Sequence, residues 1–89
     1  MYERSPRVAA LTVGTSEVLL AVGAATRPGR RRLRVYNLGA AVIYVGPTGV
    51  TTGTGYPVEV GDGVTWDSPD DLYAISAAAG NDVRVMESI

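Results

Sequence analysis

The 89-residue chain predicts an all-β domain, a small β-sandwich or jelly-roll-like barrel of seven or eight short antiparallel strands. Three observations carry that prediction. Turn residues recur every 8–12 residues or so, about the spacing of strands in a sandwich. Apolar and polar residues alternate at period two in several of the runs between turns, as in half-buried strands. The composition opposes helix: 13 Val and 8 Thr suit pleated backbone, whereas 11 Gly and 5 Pro weaken helix interiors.

In chain order, residues 1–6 are polar, end on Pro6 and read as a flexible arm, leaving 7–89 as one domain. Residues 7–13 and 17–22 are two apolar runs separated by the turn residues Gly14-Thr15-Ser16. The stretch 8–25 is apolar-rich, yet the turn residues interrupt it and Glu3 and Glu17 spoil the charge pattern of a secretory signal. No stretch approaches the roughly 20 apolar residues that span a bilayer as a helix. Small residues and Pro28 make 23–30 a loop. The clearest strand is 31–37, with Leu33, Val35 and Asn37 on one face and Arg32, Arg34 and Tyr36 on the other.

Leu38-Gly39-Ala40 is a short turn into 41–45, whose β-branched and aromatic residues make it the expected hairpin partner of 31–37. Four glycines make 46–55 a long exposed loop. Pro57 confines the short strand 56–60 to an edge or a strand start. The tight turn Gly61-Asp62-Gly63 leads to a strand at 64–67, and Ser68-Pro69-Asp70-Asp71 turns again. In 72–76, Leu72, Ala74 and Ser76 oppose Tyr73 and Ile75; after a turn at Gly80-Asn81, Val83 and Val85 oppose Arg84 and Met86. The alanines at 77–79 allow one helical turn and nothing longer.

What the chain lacks limits its chemistry. It has no Cys, His or Lys, so disulfides, thiolate and imidazole chemistry, Schiff bases and phosphate-binding lysines are excluded. No catalytic, cofactor-binding or metal site is expected. A chain of this size buries about 60–65% of its unfolded surface. Its stability is expected at about 4–13 kcal/mol. The formal net charge of -1 offers no global attraction to nucleic acid or an anionic membrane.

Two groups stand out as binding candidates. Arg27, Arg30, Arg31, Arg32 and Arg34 place five of the eight arginines within eight positions. Arginine suits docking onto an acidic protein surface, and equally a solvated strand face whose charges block edge pairing. Tyr56, in the Gly-rich region, and Trp66 could stack on a sugar ring or a partner. Asp67, Asp70 and Asp71 could supply oxygen ligands, but no EF-hand spacing surrounds them and turn chemistry accounts for them. Gly53-Thr54-Gly55 lacks the third glycine and the following helix of a dinucleotide fingerprint. A paired-carboxylate glycosidase is disfavoured because a chain this short should offer no deep cleft.

As a run, Arg31 through Gly39 followed by Val42-Ile43-Tyr44-Val45-Gly46 resembles small β-rich proteins encoded among the structural genes of tailed bacteriophages. The pattern continues through Gly49-Val50-Thr51-Thr52, Gly55-Tyr56-Pro57, Leu72-Tyr73-Ala74-Ile75 and Val83-Arg84-Val85. The resemblance implies a non-enzymatic capsid decoration, head-fibre or minor capsid protein on the virion surface. It would be bound in many copies to a major capsid protein, often as a homotrimer. The resemblance carries scaffold residues only, so it assigns no functional residue. The alternative expectation is a tail or baseplate module that binds host glycan through Tyr56 and Trp66.

Overall fold

The computed structural model describes residues 6–89. The arm expected over 1–6 therefore lies, except for Pro6, outside the described residues. Eight strands follow: β1 (Arg7–Val13), β2 (Val18–Leu19), β3 (Arg32–Asn37), β4 (Ile43–Gly46), β5 (Tyr56–Val58), β6 (Gly63–Trp66), β7 (Tyr73–Ser76) and β8 (Asn81–Ser88). No helix forms at 77–79, where the chain bends instead. The strands make two four-stranded sheets, ordered β1-β8-β3-β6 and β2-β7-β4-β5. Every pairing is antiparallel.

The order has a simple logic. β1 pairs with β8, β2 with β7, β3 with β6 and β4 with β5, so the chain is one long hairpin rolled into two layers. This nesting is the jelly-roll arrangement. Between the layers lie Val13, Leu20, Leu33, Ile43, Ala74 and Val83, all fully buried. Burying a Val or Leu side chain contributes about 1.5–3 kcal/mol, so these residues are the main favourable term of the fold.

Period two places the faces as expected: β3 alternates exposed and buried along its whole length, with Leu33, Val35 and Asn37 inward. The expected hairpin is different. β3 lies in the first sheet and β4 in the second, so 31–37 and 41–45 do not pair. The reason sits in the connection. Asn37 Nδ2 donates to the Ala41 and Val58 carbonyls, both at 2.9 Å, and its Oδ1 accepts the Gly39 amide at 3.0 Å. Gly39 packs so closely on Asn81 that an added Cβ would lie 2.9 Å from that residue's own Cβ. These contacts draw the chain across to the other layer.

The Gly61 turn behaves likewise. Gly61 takes a φ of 83°, as a turn glycine does. It nevertheless joins β5 in one sheet to β6 in the other. Its amide donates to the Asn37 carbonyl, and the Asn37 amide donates to the Asp62 carbonyl, both at 2.9 Å. Among the described residues, only β4 and β5 are consecutive strands that share a sheet, and the Gly-rich loop joins them.

Candidate functional site

The arginine cluster divides. Arg27 and Arg30 are buried, which removes them from the exposed docking face expected of all five. The cause is Glu87, which follows Val83 and Val85 on the inward face of β8 and is itself fully buried. The Arg30 guanidinium meets Glu87 Oε2 at 2.8 Å through Nη1, with neither side chain exposed. The same nitrogen donates to the Leu20 carbonyl at 3.2 Å, and Nη2 donates to the Asp70 carbonyl at 2.7 Å. Glu87 also accepts the Val22 amide at 3.1 Å and the Arg27 amide at 3.4 Å. One ion pair therefore ties the 20–31 loop, the end of β8 and the acidic turn together. Among the described residues, the Arg30 Nε has no hydrogen-bond partner.

Arg31, Arg32 and Arg34 are exposed. Arg32 Nε meets Asp67 Oδ1 at 2.7 Å across two solvated side chains, a pairing of about 0–1 kcal/mol. Arg34 lies on the outer face of the first sheet, where it borders a shallow pocket of about 170 Å³ with Val8, Tyr36, Arg84 and Met86. Val8 and Tyr36 expose 65% and 43% of their surface, so this face mixes apolar and cationic groups. Tyr, Met and Arg are enriched where proteins meet.

A second feature lies where β5 and β6 end their respective sheets. The layers part there into a cleft of about 540 Å³ walled by Val45, Pro47, Val64 and Leu72 together with Tyr56 and Trp66. Asp70 and Asp71 also line it. A smaller hollow of about 140 Å³ continues the seam, sharing Tyr56 and Val64 and adding Glu59 and Asp62. A cleft of this size is larger than the sequence led one to expect. It forms because Tyr56 turns outward, 66% exposed, while Trp66 packs partly against the core. Trp66 Nε1 donates to the Asp70 carbonyl at 3.1 Å, which fixes the indole.

The acidic turn is organised by its own hydrogen bonds. The Asp70 amide donates to Ser68 Oγ at 3.1 Å, Asp67 faces Arg32, and Asp71 Oδ1 accepts the Thr26 hydroxyl. Among the described residues, no three His, Cys, Asp or Glu side chains come together as a metal-binding group. Sequence reasoning missed Glu87, although period two from Val83 and Val85 already assigns it to the buried face. It also missed Glu59 and Asp62, which carry no local motif and join the seam only through the turn between β5 and β6.

No family model, curated protein or solved structure matches the chain. Among the described residues no helix is long and apolar enough to cross a membrane.

Proposed function

We propose that this chain is a non-catalytic structural protein of a tailed-bacteriophage virion, a capsid decoration or minor capsid protein that binds and stabilises the head shell. The observation that carries the reading is the outer face of the first sheet. There Arg34, Tyr36, Val8 and Met86 form a broad mixed surface, with Arg31 and Arg32 exposed on the same segment of chain. A guanidinium-rich face with apolar anchors suits an acidic shell built of repeated copies. The jelly roll adds fold-level analogy, since that architecture recurs in viral capsid domains. The partners in this reading are the major capsid protein and further copies of the chain, with a trimer favoured.

The test is co-sedimentation of the purified protein with empty capsids that lack it. Wild type should pellet with the shells, and Arg34→Glu should weaken binding about tenfold or more, roughly 1.4 kcal/mol. A protein that stays monomeric and never pellets with the shells would defeat the reading.

A second reading is supported by one specific observation. Tyr56 and Trp66 lie in different sheets but line the same cleft, as a glycan-binding tail or baseplate module would require. A glycan array probed with wild type and Tyr56→Ala decides it, and silence across the array sinks this alternative.

A further inference from the structure

The seam between β5 and β6 has three properties that converge on one kind of occupant. The first is charge. Asp67, Asp82 and Glu87 are spent on ion pairs. Glu17 holds the Thr48 hydroxyl and the Gly49 amide. Glu3 lies outside the described residues. The remaining four of the nine carboxylates, Glu59, Asp62, Asp70 and Asp71, all line the seam, Asp71 also accepting the Thr26 hydroxyl, and among the described residues no arginine lines it. None of the four has a cationic partner among the described residues.

The second property is the wall, which is aliphatic and aromatic from Val45 and Leu72 through Val64 to Tyr56 and Trp66. The third is the open backbone of an edge strand. Bonds between Asn37 and the Gly61–Asp62 turn set the phase of the ladder, so Val35 and Leu33 face their register partners Val64 and Trp66. The alternation of an antiparallel pair then directs the backbone groups of Gly63 and Thr65 to the side of β6 that carries no strand among the described residues. An apolar groove with an acidic rim beside an unpaired strand edge matches an extended, basic polypeptide.

We propose that the β5–β6 seam binds an extended cationic segment of a partner protein, added as a strand to β6. Its apolar side chains enter the cleft at Trp66 and Tyr56, and its Lys or Arg side chains meet the four carboxylates. This interface is opposite in charge to the Arg34 face and is independent of where on a particle the chain sits.

The experiment is fluorescence anisotropy with a labelled peptide of about eight residues, the length of a long strand, in which Arg and Val alternate. Two further peptides share its length: one with Glu for every Arg, and one N-methylated along one edge so that it cannot donate to β6. Wild-type protein should bind the Arg peptide and ignore the Glu peptide. N-methylation should weaken binding about tenfold or more, because charge is kept while the strand ladder is lost. The triple variant Glu59→Gln, Asp62→Asn, Asp70→Asn should weaken it by a similar factor, and amide shifts should centre on Gly63 and Thr65.

Equal binding of the N-methylated peptide would overturn the proposal by reducing the effect to bulk charge. Shifts confined to the Arg34 face would overturn it, as would absence of binding. A neutral oligosaccharide that moves the Trp66 and Tyr56 signals while the Arg peptide does not would also overturn it, and would favour the glycan reading instead.

Discussion

Glu87 and Arg30 form the one ion pair in which both side chains are wholly buried among the described residues. Breaking such a pair from one side strands a charge, at about 3–5 kcal/mol. Glu87→Leu should therefore lose about 3–5 kcal/mol in urea unfolding, a large part of the about 4–13 kcal/mol expected of this domain. Arg30→Met together with Glu87→Leu should recover much of that loss, because no charge is then left buried. A single variant as stable as wild type would contradict this account. At the surface the logic is different. The hydrogen bond from Arg84 holds the Asp82 carboxyl below its ordinary value of 3.8, against an opposing desolvation, and the charge of Arg84 helps. A depressed carboxyl contributes stability above its unfolded value, and that contribution disappears as pH falls through the folded value. A carbon-detected NMR titration should place Asp82 below 3.8 in wild type and return it toward 3.8 in Arg84→Met.

The connections between strands decide the element scale. Asn81 Nδ2 donates to the Ser76 hydroxyl at 2.9 Å and the Ala78 carbonyl at 2.8 Å, while its Oδ1 accepts the Ala41 amide at 3.1 Å. With Asn37 it forms the polar floor on which the chain passes from one layer to the other. Asn37→Ala would strand two carbonyls and an amide, so a loss of about 1–3 kcal/mol or somewhat more is expected in chemical denaturation. The β4–β5 loop is held differently, by Glu17 from the β1–β2 connection at 2.7 Å to the Gly49 amide and 2.8 Å to the Thr48 hydroxyl. Glu17→Ala should raise hydrogen exchange at Gly49 while leaving β3 and β8 protected. Uniform loss of protection would show that the contact supports the whole fold rather than this loop.

For the whole molecule, nesting sets the folding problem. The β1–β8 pair closes nearly the full length of the chain, whereas β4–β5 closes only the Gly-rich loop. Long-range pairing is slow to form, so refolding followed by the single Trp66 should fall in the range of about milliseconds to seconds. A microsecond phase carrying the full amplitude would rule out rate-limiting closure of the outer strands. With no His or Cys, no side chain in the composition ordinarily titrates in mid-range, and the melting temperature should stay nearly flat from about pH 6 to 8.

What could be read from residues alone is what depends on neighbours in sequence. The alternation in 31–37 determines which face of β3 is buried, because side chains on a strand point to opposite sides in turn. The Val, Thr and Gly content determines that the elements are strands, and the turn residues determine roughly where each ends. Of the candidate site, the outward Arg34 and Tyr36 followed from that same alternation. Alternation carries no information about which strand lies alongside, so the hairpin expected at Gly39 and the tight turn at Gly61 became crossings between layers. Tertiary structure alone decided that Arg30 faces inward, because its partner Glu87 is 57 positions away. It alone brought Tyr56 and Trp66 from different sheets to one cleft. Both outcomes depend on contacts between distant segments, whose energies are set only once the layers close.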